Sequence, residues 1–138
     1  MGKMNIEVGE SFRFTKTFAE CDVYMFAGIS GDFSPNHTNE EFCKNTPFKT
    51  RIVHGCLTFA LTSTTASMAA RRTGQTCLSI GYDRVRFLKP VAFGDTITSV
   101  YTVIEKDEER MRFVAKCELF NQHGDLVLVC NHLHKVME

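Results

Sequence analysis

After Gly74 the apolar positions alternate with polar ones in run after run, whereas before it they do so only once. That early run sets Phe12, Phe14 and Phe18 among Arg13, Thr15 and Thr17, which predicts a short strand from its period of two. Val23, Tyr24, Phe26 and Ala27 then fall at helical spacing between Glu20 and Ile29, and Gly28 and Gly31 bracket the end of that helix. Residues 30–53 carry no clear period beyond a helical turn expected at Asn39 to Lys44, and the Gly, Ser, Pro and Asn content of Ser30 to His37 argues against regular structure there. A connection of that length inside a compact domain points to a functional segment.

From Cys56 to Arg72 there is neither Pro nor Gly, and Gly74 is placed to stop a helix. The segment has no charge before Arg71 and is rich in Ala, Ser and Thr. Such a helix is expected to be buried on most sides, since threonine propensity alone would not sustain it. Four strands are predicted to follow, at Cys77 to Leu88, Asp95 to Lys106, Met111 to Leu119 and Leu126 to Val136. Lys89-Pro90, Gly94-Asp95, the charged run Lys106 to Arg110 and His123-Gly124-Asp125 separate them. One strand, one buried helix and a four-strand meander predict a single α+β domain over residues 1–138. An antiparallel β-sheet wrapped around a central α-helix is the outline of a hot-dog fold. A sheet curled round one helix leaves an edge and an apolar face, so a homodimer is expected.

Sixteen basic residues balance sixteen acidic ones among 138, for a formal net charge of +0, which argues against nucleic acid or a membrane surface as partner. No run reaches the length of a membrane span, and Met1 to Glu10 lacks an apolar signal core, so a cytoplasmic location is expected. Six cysteines without a Cys-x-x-Cys pair suggest buried free thiols, Cys56 among them, rather than disulfides or zinc.

The chemistry-bearing residues cluster just before the long helix. Asp32 and His37 lie five apart, and His54-Gly55 stands at the helix entrance. Asp32 and His37 fit either an Asx-type turn with a surface histidine or an acid/base pair holding a water between carboxylate and imidazole. His54-Gly55 fits either a tight helix entry or an oxyanion site, in which the Gly55 amide meets a substrate carbonyl unobstructed by a Cβ. Spacing does not choose between these. His132 and His134 share a face of the last strand, but two histidines without an acidic or thiolate neighbour are too few for zinc, so the structural reading is preferred and no metal is expected.

The stretch Ser30-Gly31-Asp32-Phe33-Ser34-Pro35-Asn36-His37, followed by Arg51-Ile52-Val53-His54-Gly55-Cys56-Leu57, resembles the hydratase motif of MaoC-like dehydratases and (R)-specific enoyl-CoA hydratases. Phe87 to Asp95 resembles that family's later strand-turn element, and the likeness spans nearly the whole chain. The resemblance implies a homodimer or higher homo-oligomer that adds water syn to a trans-2-enoyl thioester, with no metal or redox cofactor and with CoA or acyl-carrier protein as the substrate's handle. It implies Asp32 and His37 as the catalytic pair, the Gly55 amide as oxyanion donor, His54 in support, and Ser63 as a serine that orients Asp32. Asn39 and Cys43 depart from the family's usual residues, away from the chemistry. A 3-hydroxyacyl-[acyl-carrier-protein] dehydratase is the near alternative. An acyl-CoA thioesterase is disfavoured because Cys56 to Arg72 contains no Asp or Glu, and a non-catalytic acyl-CoA-binding protein because Asp32, His37 and Gly55 are all present.

Overall fold

The computed structural model describes residues 2–137; Met1 and Glu138, the ends of the expected 1–138 domain, lie outside the described residues. The elements in chain order are β1 (Ser11–Thr17), α1 (Glu20–Ser30), α2 (Pro35–Thr38), α3 (Glu40–Cys43), α4 (Gly55–Thr73), β2 (Cys77–Phe87), β3 (Thr96–Asp107), β4 (Arg112–Phe120) and β5 (Leu126–Val136). The five strands form one antiparallel sheet in the order β1-β3-β4-β5-β2, and α4 lies against β1, β2, β3 and β5 in the hot-dog arrangement. The expected meander is therefore corrected. β3, β4 and β5 are consecutive neighbours, but β2 crosses to the far edge beside β5 while β1 takes the other edge beside β3. Periodicity reports which face of a strand is buried and nothing of its partner.

Ile97, Ser99, Tyr101 and Val103 on β3 and Phe113, Ala115, Cys117 and Leu119 on β4 alternate into the core, as do Cys130, His132, His134 and Val136 on β5. The helix answers with Thr58, Leu61, Thr62, Thr65, Ala66, Ala69 and Thr73. Its opposite stripe, Cys56, Ala60, Ser63, Ser67 and Arg71, stands exposed in the single chain, so burial is on one face and not on most sides. Cys56 is accordingly an exposed thiol, against the expectation that it is buried, and so is Cys21; all six cysteines are free. A threonine-rich face is tolerable in the core because its hydroxyls turn back on the helix. Thr62 donates to the Phe59 carbonyl at 2.8 Å, Thr65 to Thr62 at 3.1 Å and Thr73 to Ala70 at 2.7 Å, and Thr65 also meets Ser99 Oγ at 3.2 Å. Among the described residues no helix is long and apolar enough to cross a membrane.

His132 and His134 lie in this core, linked to hydroxyls. His132 contacts Ser79 Oγ at 2.6 Å and Tyr101 Oη at 2.7 Å, and His134 contacts the same Tyr101 oxygen at 3.2 Å. Burial lowers the pKa of His132 to about 3, with the neighbouring His134 adding to the effect, and burial lowers that of His134 to about 4. In the unfolded chain both take a proton as pH falls through their ordinary value of 6.5, whereas folded they stay neutral to those lower values. Stability from this source is thus complete above pH 6.5 and drains below it, at roughly 1.4 kcal/mol per histidine per pH unit. Urea titrations at pH 7.5, 6.0 and 5.0 should show the decline, and a His134→Gln variant should show a shallower one. Equal slopes in the two proteins would mean that His134 is already protonated in the fold.

Candidate active site

The segment that carries Asp32 begins where α1 is stopped. Gly31 caps that helix in the left-handed region, with φ of 81°, and its amide bonds back to the Ala27 carbonyl. Gly28, expected to help end the helix, is simply part of it. Beyond the cap, the Asp32 amide bonds to Ser30 Oγ at 3.2 Å and Asp32 Oδ1 accepts from the Ser34 amide at 3.1 Å, an Asx turn. Ser34 then starts one helical turn, α2, with Pro35 at its first position, where the missing N–H costs nothing. His37 therefore sits on a helical turn, correcting the expectation that Ser30 to His37 is wholly irregular. Pro and Asn read as breakers, but at the first positions of a short turn they are starters.

The imidazole of His37 is fixed by its Nδ1, 2.7 Å from the Ile52 carbonyl. A carbonyl only accepts, so Nδ1 carries a proton, and in the neutral imidazole it is Nε2 that presents the lone pair. That Nε2 lies 3.8 Å from Asp32 Oδ2. His54 lies beneath, with its ring stacked on His37 at 3.8 Å between centroids and 25° between planes, and Phe26 of α1 meets its ring edgewise at 4.8 Å. His54 Nε2 is 2.9 Å from the Asp32 backbone carbonyl, so it too is a donor there, which leaves its buried Nδ1 without a partner. Asp32 itself stays open, its side chain 52% exposed against 13% for His37.

Asp32, His37 and His54 are also the one group among the described residues whose metal-donor atoms come within 4.8 Å of one another. The lone pair of His54 Nε2 is not available to a cation while it bonds the Asp32 carbonyl. Two donors remain, fewer than a zinc site takes from its protein.

Gly55 opens α4 directly after His54. His54 gives no side-chain cap, and its carbonyl receives the amides of Leu57 and Thr58, so the Gly55 and Cys56 amides are the donors left over at the helix start. A Cβ on Gly55 would come within 2.8 Å of the Phe87 ring, so glycine is what admits that close approach. An apolar cavity of about 430 Å³ adjoins this point, walled by Ile52, Val53, Gly55, Phe87 and Val91 among others. The bridge Ile52 to Ala92 and the bond from the Val53 amide to the Val91 carbonyl, 2.7 Å, bring the Phe87 to Asp95 stretch against the motif. Ser63 is not brought to the pair. It lies on the exposed stripe of α4, and among the described residues it makes no side-chain hydrogen bond with Asp32.

Sequence reasoning missed the clamp that holds this assembly. Arg51 reaches Glu40 at 3.0 Å, Glu20 at 2.9 Å and the Tyr24 hydroxyl at 3.1 Å, and lies over the Phe93 ring at 4.6 Å. One guanidinium thereby ties α1, α3 and the Ile52 strand bridge together. No spacing announces such a group, because its hydrogen-bond partners are 11 to 31 residues away. Arg51→Gln should lower the melting temperature by roughly 5 °C, on the order of 1.5 kcal/mol given that the partners are partly exposed. A melting curve matching that of the unsubstituted protein would remove Arg51 as a clamp.

A family model described as "MaoC like domain" matches residues 4–119. Among curated relatives, the chain is 39% identical to an (R)-specific enoyl-CoA hydratase of Rhodospirillum rubrum over 99 residues, 72% of this chain and 67% of that protein. It is 36% identical to a 3-hydroxybutyryl-CoA dehydratase of Methylorubrum extorquens over 113 residues, 82% and 70% of the two chains. Among solved structures, the (R)-hydratase of Aeromonas caviae involved in PHA biosynthesis superposes with a TM-score of 0.88 at 30% identity, covering 96% of this chain and 98% of that one.

Proposed function

The chain belongs to the MaoC-like family, and from that premise we propose that it is a hydro-lyase interconverting trans-2-enoyl-CoA and (R)-3-hydroxyacyl-CoA. The observation that carries the proposal is the 3.8 Å gap between Nε2 of His37 and the Asp32 carboxylate, beside a free amide at Gly55. At that distance the two groups do not bond each other, and a single water fits between them with one hydrogen directed at each acceptor. Its lone pairs then face outward, toward the β-carbon of a bound enoyl thioester.

As the water oxygen bonds to Cβ, its proton passes to the Asp32/His37 pair and the alkene electrons move onto the thioester carbonyl. The Gly55 N–H, at the positive end of α4, holds the resulting enolate oxygen. The pair then returns a proton to Cα from the same face, which makes the addition syn. Dehydration runs the same steps backward. The chemistry calls for no metal or redox group, because the thioester itself acidifies Cα. Ser63 has no part in it within one chain. A second copy completes the proposal: β2 is an edge strand with Leu78 and Ile80 exposed, and the small-residue stripe of α4 is open. Light scattering should return twice the chain mass of 15.6 kDa, and a monomer would end that part of the reading.

The test is loss of enoyl-thioester absorbance when protein is added to crotonyl-CoA, with free thiol titrated alongside. Rapid loss without free CoA, giving the (R)-alcohol, is the expected result. Released CoA would replace the hydratase reading with a thioesterase. Activity confined to the crotonyl-acyl-carrier protein would move the substrate to that carrier, and inertness toward both would refute the assignment.

A further inference from the structure

Of the six free cysteines, two meet across the sheet. Cys117 of β4 and Cys130 of β5 stand directly opposite each other in the antiparallel register, both on the core face. Cys117 is wholly buried and Cys130 is 3% exposed. The other four are set apart: Cys21 and Cys56 are exposed, Cys43 directs its thiol at the Pro35 and Asn36 carbonyls, and Cys77 is 3.5 Å from the Thr73 hydroxyl. The hydration chemistry does not use the pair, because β4 and β5 supply none of the groups bonded to Asp32, His37 or His54. Residues so opposed have Cα atoms about 5.5 Å apart where the pair is hydrogen-bonded and about 4.5 Å where it is not. Either value lies within the roughly 4.4–6.8 Å that a disulfide spans, so the strands need not move to be joined. The thiols also act on each other. A thiol that donates to its neighbour favours the neighbour's thiolate: Cys117 lowers the pKa of Cys130 against the cost of burial, and is itself pushed up by Cys130 and by burial.

We propose that Cys117 and Cys130 are a peroxide-sensitive pair that closes into a disulfide stapling β4 to β5. Cys130 reacts first. Its thiolate attacks one oxygen of hydrogen peroxide and the O–O bond breaks, giving a sulfenic acid, while the hydroxide released takes up the proton that the thiol gave and leaves as water. The Cys117 sulfur then attacks the Cys130 sulfur, the S–O bond breaks, and a second water carries off the Cys117 proton. The two thiols lose two electrons in all, and one peroxide gains them. Thiols this deep are reached by an oxidant little larger than water, when the sheet opens locally, so the opening sets the rate. The product closes the loop from 117 to 130, which restricts the unfolded chain and stabilises the fold.

The experiment uses the full chain with Cys21→Ser and Cys56→Ser, which keeps the exposed thiols out of the readout. The folded protein is treated with hydrogen peroxide, the excess is destroyed with catalase, and every remaining thiol is alkylated in denaturant before mass mapping. The expected product holds the peptides of Cys117 and Cys130 joined, two hydrogens lighter and separable by dithiothreitol. It should melt about 5 °C higher than the same sample after dithiothreitol, a comparison that leaves any oxidised methionine in both. Adding Cys117→Ser should leave a Cys130 sulfenic acid that dimedone captures, whereas adding Cys130→Ser should leave Cys117 unoxidised. The mapping decides the proposal even if neither of these two serine variants folds. Recovery of both peptides fully alkylated overturns it, as does a joined pair that melts no higher. A pair joined only when urea is present during oxidation also overturns it, since the link then belongs to the unfolded chain.

Discussion

Asp32→Asn lowers kcat on crotonyl-CoA a hundredfold or more, about 2.7 kcal/mol of barrier, while the fold and KM stay close to those of the parent. The separation of chemistry from structure follows from how Asp32 is held. Its backbone carbonyl receives His54 Nε2, which the substitution leaves alone. Its Oδ1 accepts from the Ser34 amide, a bond the side-chain oxygen of asparagine also makes. What disappears is the acceptor at Oδ2, the atom facing His37 across the 3.8 Å gap. An amide nitrogen there donates where the water must donate, so the water is turned away and its proton has one acceptor fewer. The side chain is half exposed, so a large stability loss is not expected to obscure the kinetics. Initial rates with a melting curve for each protein check this. Near-parental turnover in a folded Asp32→Asn protein would remove Asp32 from the mechanism.

The parts of the fold that were legible in the sequence are those where one face of an element meets the core. β5 was readable over Leu126 to Val136 and α4 to within a residue at each end, because alternation and Gly74 are local signals. The order of strands was not, since β2 pairs with β5 across 50 or so residues and no local pattern records that choice. The site divides in the same way. Asp32, His37, His54 and Gly55 could be singled out because they are neighbours in the chain, and the structure brings Asp32, His37 and His54 together, with Gly55 following His54 at the start of α4. The stacking of His37 on His54, the tautomers that their carbonyl partners impose and the Arg51 clamp depend on how residues 30–53 return to α4, which composition conceals. Ser63 is a different case. The serine at the expected sequence position lies on the exposed face of α4 and, within one chain, makes no side-chain hydrogen bond with Asp32.

The Gly55 amide can be deleted by a single substitution because of where it lies. Gly55 is the first residue of α4, whose N–H has no partner inside the helix, and proline is accepted at that position. The preceding residue, His54, already has φ of −54° and ψ of 132°, the extended conformation that a following proline requires. The obstacle is the ring of Phe87, which any Cβ at residue 55 would meet at 2.8 Å. The informative pair is therefore Gly55→Ala and Gly55→Pro, each combined with Phe87→Ala. Phe87 is largely exposed, so its truncation opens the space at modest cost in stability. Both double variants carry a Cβ in the same place, and only the alanine one keeps the N–H. If that N–H holds the enolate oxygen, kcat of the proline protein falls a further hundredfold or more below that of the alanine protein, the usual consequence of losing one oxyanion donor. KM should move less, since the ground-state carbonyl gains little from a donor aimed at the enolate. Equal kcat values in two folded proteins would take the oxyanion role from Gly55 and leave the adjacent Cys56 amide, the other free donor at the helix start, as the group to delete next.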